Sequence, residues 1–267
     1  MKDLTNSNVI HIKRKEIEYI QFKKLLEYSD IIEHCYTLRK NETDFRKYED
    51  KDILEKNYKK LAKEFKFEYG KIIRPFQTHT DNIVSIKNNE EIKLDNVDGL
   101  ITNEKDKVLS LTYADCIPVY MFEPNKKVVA NIHSGWKGTV QKISEKAVKQ
   151  MISDFECDVK NIICCMGPSI CKKHFEVDED VMLQFKKVFE YTNRLDEVIE
   201  SKINSEGVKK YYIDTVKINR MMLEQVGLKP ENIIESKICT VCNNKEFHSY
   251  RADKEKSGRN TAIIYLK

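Results

Sequence analysis

The chain has 267 residues, 40% hydrophobic and 34% charged, and 47 basic against 43 acidic side chains leave a formal charge of +4. That length buries a full core, and so mild a charge balance excludes a disordered chain and argues against a nucleic acid partner. No apolar run reaches the roughly 18 residues that span a bilayer, and the polar start from Met1 to Lys15 lacks the apolar centre of a signal peptide, so a cytoplasmic protein without a membrane partner is expected.

Residues 1–30 include the charged stretch Glu16-Ile17-Glu18-Tyr19-Ile20 and read as a peripheral N-terminal extension. Residues 31–39 form the next segment. Over residues 44–67 the spacing of Tyr48, Leu54, Tyr58, Leu61 and Phe65 is near 3.6, which predicts an amphipathic helix stopped by Gly70. Short strands follow at 72–76, 83–86 and 99–101, with a charged loop at 88–96.

From Val108 the β-character strengthens. Residues 108–112 approach Asp115-Cys116 and residues 117–122 leave it, with Pro118 marking a bend or an edge. Residues 128–132 make a buried strand that delivers His133 to its C-terminal end. Residues 134–138 must then turn before a helix carrying Val140, Ile143, Ala147 and Met151. A strand end, glycines and a helix start gather free N–H groups, which favours an anion there. Residues 161–166 form a further strand. A helix with Asp178 as N-cap carries Val181, Phe185, Val188 and Phe189, and residues 194–208 are polar and weakly patterned. A second helix begins near Asp214 with Ile218, Met222 and Val226 before Gly227, and residues 261–266 close the chain as a strand. No repeat or linker divides the sequence, so a single domain over residues 1–267 is expected.

Eight cysteines in a cytosolic chain are expected to be free, metal-binding or catalytic rather than disulfide-bonded. Cys35, Cys157, Cys164 and Cys165 read as core residues. Cys239-x-x-Cys242 is half of a zinc site or a redox pair, but no second C-x-x-C completes it. His248 is near in sequence, yet the missing partner argues against a second metal site. His11, His34 and His174 read as satisfied histidines. The stretch Asp98 to Gly138 is different: it holds Cys116 and His133 at two converging strand ends, and His79 stands just upstream. These three are expected to meet.

The ordered set Gln77-Thr78-His79, Asp98-Gly99-Leu100-Ile101-Thr102, Ala114-Asp115-Cys116-Ile117-Pro118, His133-Ser134-Gly135-Trp136-Lys137-Gly138, Gly167-Pro168-Ser169-Ile170, Cys239-Thr240, Ser249-Tyr250-Arg251 and Gly258-Arg259 resembles the laccase-domain family, also called multicopper polyphenol oxidase-like or peptidoglycan editing factors. The resemblance runs from His34 to the C-terminus. It implies an α+β fold of four layers, an α/β/β/α sandwich with mixed sheets. It also implies purine nucleoside phosphorylase and adenosine deaminase activity on adenosine, inosine, guanosine and S-methyl-5'-thioadenosine, with zinc on His79, Cys116 and His133. The chain departs from the family pattern at Thr80, at Lys137, and at Lys40-Asn41, which follow Arg39 where the family has Gly-Gly.

Two imidazoles and a thiolate are good zinc ligands, and three protein ligands with one open position is the pattern of a catalytic zinc. A blue copper centre shares this set but needs a weak axial ligand, and six histidines cannot build a multicopper oxidase, so zinc is expected ahead of copper. Deamination needs an activated water, and phosphorolysis needs a held phosphate. Arg39, Lys137, Arg251 and Arg259 are the candidate anion clamps, with Arg251 the strongest. Asp115 either orients a ligand and protonates the purine or serves as a turn carboxylate. Trp136 is core packing or a cavity wall, and Glu176 reads as structural. The alternatives are a metal-free cysteine hydrolase or amidase built on Cys116, His133 and Asp115, and a non-catalytic peptidoglycan-editing or binding factor. Either a monomer or a homodimer fits this reading.

Overall fold

Strands that are apolar along their whole length need a packing layer on each face, and this chain has several. In the computed structural model, which describes residues 2–40, 43–46, 51–87, 93–204 and 206–267, they assemble into two facing six-stranded sheets. The first runs β1 (Val9–Lys13), β2 (Glu18–Phe22), β3 (Ile32–Thr37), β15 (Asn260–Leu266), β7 (Val108–Tyr113) and β4 (Ile72–Ile73). The second runs β14 (Ile233–Glu235), β10 (Ile163–Met166), β8 (Ile117–Glu123), β9 (Val128–Ser134), β6 (Gly99–Thr102) and β5 (Ile83–Ile86). Both are mixed: β4 with β7, β10 with β14 and β5 with β6 pair in parallel, the other neighbours antiparallel.

Period-two alternation explains the layering. Leu109, Leu111 and Tyr113 of β7 and Ile264 of β15 face Tyr120 and Phe122 of β8 and Val129 of β9 between the sheets. The opposite face of the second sheet, with Val119, Met121, Ala130 and Ile132, packs on Ala147, Val148 and Met151 of α4 (Ile143–Phe155) and Leu223 of α7 (Thr215–Val226). The opposite face of the first, with Cys35, Val108 and Ile263, packs on Tyr58 and Leu61 of α2 (Lys51–Phe65). Each of the buried Val, Leu, Ile, Phe and Met side chains contributes about 1.5–3 kcal/mol through removal from water. The result is the four-layer α/β/β/α sandwich.

A smaller sheet, β11 (Glu176–Val177), β13 (Lys209–Ile213) and β12 (Ile199–Ile203), joins α5 (Glu179–Phe189) at one end. Phe175, Phe185, Ile213 and Met222 form its core, with Trp136 packed against it. The short helices α1 (Lys23–Leu26), α3 (Trp136–Val140), α6 (Leu195–Val198) and α8 (Tyr250–Asp253) complete the set used below.

Several expectations are corrected. Residues 9–22 are not peripheral, because β1 and β2 extend the first sheet and bury Val9, Ile20 and Phe22. Residues 43–46 are not helical and the described part of α2 runs over Lys51–Phe65, while residues 47–50, including Tyr48, lie outside the described residues, as do Asn41 and residues 88–92 of the charged loop. Lys66, at φ 55°, rather than Gly70, ends α2, and its left-handed turn lets the Phe67 N–H reach the Ala62 carbonyl at 3.1 Å. The helix after His133 begins already at Trp136 and breaks at Lys142, φ 61°, into α3 and α4. At five residues α3 carries little macrodipole, which removes the basis for an anion at its start. Asp178 precedes α5 but makes no cap hydrogen bond, its carboxylate pairing with Lys210 instead. The polar stretch 194–208 holds α6 and β12. By contrast Asp214 caps α7 through the Lys217 N–H at 2.9 Å, and Gly227 ends it at φ 111°.

Candidate metal centre

His79, Cys116 and His133 arrive from three different places. Cys116 closes the bend between β7 and β8, and His133 lies on β9 directly opposite Pro118 in the β8–β9 ladder. His79 sits in the loop before β5 at φ 62°, a left-handed conformation that a histidine adopts at a cost. Gln77 fixes that loop: its side chain accepts the Thr112 N–H at 2.8 Å and donates to the Thr112 carbonyl at 3.0 Å. One ligand-type atom from each of the three residues lies within 4.8 Å of the others, and the two imidazoles are 4.9 Å apart at 70°.

Asp98 organises this centre, and the sequence reading gave it no role. Its Oδ1 stands 2.7 Å from His133 Nδ1 and receives the His79 N–H at 3.2 Å, while Oδ2 takes the Thr80 N–H at 2.7 Å and the Thr80 hydroxyl at 2.8 Å. Its backbone carbonyl accepts the His133 N–H at 2.7 Å. Burial pushes the Asp98 carboxyl up, but the His133 hydrogen bond and charge and the Thr80 donors outweigh it and bring it down to about 2. Burial likewise pushes the Cys116 thiol up, and the imidazoles of His133 and His79 overcome this, lowering it to about 6. Burial disfavours charge on His133, yet the Cys116 thiolate and Asp98 raise it to about 9. In the metal-free centre His133 and His79 thus favour the Cys116 thiolate, while Cys116 and Asp98 favour the protonated form of His133. The only sequence signal for Asp98 is its place at the head of Gly99-Leu100-Ile101-Thr102.

Gly135 leaves room for the cluster. A Cβ there would lie 2.9 Å from His79 Cδ2 and 3.1 Å from Cys116 Sγ.

The three side chains line a cavity of about 920 Å³. Phe76, Trp136, Phe175 and Tyr250 supply aromatic walls, and Arg251 and Arg259 supply positive charge together with Arg46 and Lys254. Trp136 thus serves both as a cavity wall and as packing for the small subsheet core. Arg251 is held in place: Nη1 donates to the His174 carbonyl at 2.6 Å, Nη2 to the Glu176 carbonyl at 3.0 Å, and its guanidinium lies over Phe175. Arg259 donates Nη1 to the Ser257 and Gly258 carbonyls at 3.0 and 2.9 Å.

Two expected anion clamps are placed elsewhere. Arg39 does not line the cavity; its Nη1 bonds Asp253 and the Asn244 carbonyl, both at 2.8 Å. Lys137 is exposed on α3 with its ammonium 5.7 Å from the Trp136 ring, also outside the cavity lining. Asp115, at φ 80°, lines the cavity, but its oxygens accept the Thr240 hydroxyl and the Arg251 N–H, each at 2.6 Å. These two contacts are those of a turn carboxylate, and neither is to His79 or His133. Glu176 lines the cavity as well. The view that Cys239 and Cys242 lack partners also changes, because Cys171 and His174 stand beside them, while His248 instead contacts the Thr43 carbonyl at 2.8 Å.

Residues 35–267 match the family model described as multi-copper polyphenol oxidoreductase laccase. Purine nucleoside phosphorylase YlmD of Bacillus subtilis (strain 168) is 30% identical over 226 residues, 82% of this chain and 78% of that protein. Adenosine deaminase RL5, from an unknown prokaryotic organism, is 32% identical over 215 residues, 78% of this chain and 79% of that one. Among solved structures, YlmD from Geobacillus stearothermophilus shares the fold with a TM-score of 0.84 at 22% identity over the whole of both chains. A Bacillus licheniformis protein, YfiH, superposes with a TM-score of 0.86 at 24% identity, covering 96% of this chain and 99% of that one. The motif order, the sandwich and these matches agree, and the chain belongs to the multi-copper polyphenol oxidoreductase laccase family.

Proposed function

We propose that this chain is a zinc-dependent purine nucleoside phosphorylase, acting on adenosine, inosine, guanosine and S-methyl-5'-thioadenosine, that also deaminates adenosine. The observation that carries the reading is the convergence of His79, Cys116 and His133 at the wall of a cavity that also holds Arg251 and Arg259. The names of relatives about 30% identical, a phosphorylase and a deaminase, support the reaction class.

The donor set fits zinc. Two imidazoles, a thiol brought down to about 6 and a carboxylate behind one imidazole match a three-ligand zinc centre with its supporting shell. The other histidines stand elsewhere: His11 beside Glu18, His34 accepting from the Phe22 N–H, His248 against Thr43 and His174 beside Cys171, so no multicopper array forms. Zinc held by His79, Cys116 and His133 supplies Lewis acidity at the cavity wall.

The chain's own residues do the rest. Asp98 directs His133 Nδ1 toward itself and leaves Nε2 for the cluster. The aromatic walls offer stacking faces to a purine. Arg251, its plane fixed by two carbonyls, and Arg259 grip phosphate, whose oxygen forms the new bond to the ribose C1' as the bond to the purine nitrogen breaks. In deamination, water adds at C6 and ammonia leaves. We place the protein in the cytoplasm, where its free thiols stay reduced.

The lowered Cys116 thiol beside His133 favours one other reading, a metal-free cysteine hydrolase or amidase. Assays of the His79→Ala variant separate the two. The zinc reading expects both nucleoside reactions to disappear together with one bound zinc; turnover that persists without that zinc supports the thiol reading and removes ours.

A further inference from the structure

We propose that Cys171, His174, Cys239 and Cys242 form a second metal site, a closed tetrahedral zinc centre that is structural rather than catalytic. The two halves come from turns 65 residues apart, one bearing Cys171-x-x-His174 and the other Cys239-x-x-Cys242. Neither half identifies itself alone. Together they make a C-x-x-H and C-x-x-C set with three thiols and one imidazole, a ligand complement that leaves no open position.

The geometry matches such an ion. His174 Nδ1 lies 3.2 Å from Cys171 Sγ, 3.6 Å from Cys242 Sγ and 3.7 Å from Cys239 Sγ. Zinc with bonds of about 2.3 Å to sulfur and about 2.0 Å to nitrogen holds those atoms about 3.5 Å apart in a tetrahedron. All four ligand atoms fall within 4.8 Å of one another. The backbone supports thiolate charge: the Cys171 and Cys242 N–H groups both point at Cys239 Sγ, at 3.4 and 3.5 Å. The two turns are registered without the ion, since Ser169 N–H donates to the Ile238 carbonyl at 3.2 Å and Thr240 N–H to the Ser169 carbonyl at 3.1 Å.

The location gives the site a task. The His174 carbonyl holds Arg251 Nη1 at 2.6 Å, and the Thr240 hydroxyl holds Asp115, which takes the Arg251 N–H. Ligands of the second centre are therefore joined to, or adjacent to, the groups that aim Arg251 into the cavity. Resting on the nucleoside reading above, the second zinc is a positioning element for the phosphate side of that cavity.

Metal analysis of full-length protein purified without chelator tests the site independently of turnover. We expect two zinc ions per chain, one remaining in the His79→Ala/Cys116→Ser variant, and none when Cys239→Ser is added. X-ray absorption at the zinc edge of the His79→Ala/Cys116→Ser variant needs no change to the second site. It should show three sulfurs at about 2.3 Å and one nitrogen at about 2.0 Å. Cobalt in the same variant should give tetrahedral d–d bands with thiolate charge transfer, reduced by one third in Cys242→His, which keeps four ligands. A His79→Ala/Cys116→Ser variant without metal, an oxygen-rich absorption spectrum, or a Cys239–Cys242 disulfide in protein purified under reducing conditions overturns the proposal. Absence of nucleoside turnover in wild-type protein that carries both zinc ions would count against the phosphorylase reading alone.

Discussion

The Asp98 carboxylate stands 2.7 Å from Nδ1 of His133 and also accepts the His79 N–H at 3.2 Å, so one side chain orients one proposed ligand and anchors the loop of another. Removing its charge while keeping its shape isolates that effect. Asp98→Asn should weaken zinc at the first centre about 10–100-fold in chelator competition, and an unchanged affinity would argue that the pair is only structural. The sign for stability is also set. The folded carboxyl is depressed to about 2, so its contribution is full above the unfolded value near ~3.9 and is lost as pH falls toward about 2. Acid unfolding of Asp98→Asn should therefore be less steep in that window.

Cys116 in metal-free protein should be alkylated with a rate that is half-maximal near pH about 6, because His133 and His79 lower the thiol against the effect of burial. The thiolate is the reactive form, so the rate rises with pH through that value. His133→Ala should move the profile upward. A wild-type rate that climbs only above about pH 8, as for an ordinary thiol, contradicts this account.

Gly135→Ala places a methyl 2.9 Å from His79 Cδ2 and 3.1 Å from Cys116 Sγ. The exposed His79 side chain can give way, so the cost should fall on metal binding rather than on folding. We expect weaker zinc retention with a melting temperature within a few degrees of wild type. Full zinc affinity would show that the cluster has slack.

Arg251→Lys keeps a charge but loses the planar fork that the His174 and Glu176 carbonyls hold. Phosphorolysis should lose at least about tenfold in kcat/KM, mainly through a raised KM for phosphate, while deamination changes less; one factor of ten corresponds to about 1.4 kcal/mol. Arg39→Ala should leave the phosphate KM unchanged, since Arg39 pairs with Asp253 outside the cavity.

What could be read in the sequence depended on whether the responsible signal was local. Asp214 and Gly227 bracket α7 because capping and left-handed termination are properties of single residues. The meeting of Cys116 and His133 was legible because residues 117–123 and 128–134 form a tight hairpin whose register sets His133 opposite Pro118, two residues from Cys116. His79 required the motif order, since its loop is fixed by Gln77 bonding a distant strand end. Asp98 was overlooked because its role is to gather donors from residues 78–80 and 133, a convergence no spacing encodes. The partnership of Cys171 and His174 with Cys239 and Cys242 was hidden for the same reason, as the pairing of Ser169 with Cys239 brings two turns distant in sequence together. Arg39 and Lys137 read as anion clamps by residue type, but side-chain direction depends on packing, and theirs turn elsewhere.

The proposed function has the His79, Cys116 and His133 centre and the Arg251 side of one cavity act together on purine nucleosides. Product chromatography of zinc-loaded protein with adenosine, with and without inorganic phosphate, tests it most directly. Adenine and ribose 1-phosphate are expected only when phosphate is present, and inosine whether or not it is. Neither product from zinc-loaded protein, or free base released equally without phosphate, would contradict it.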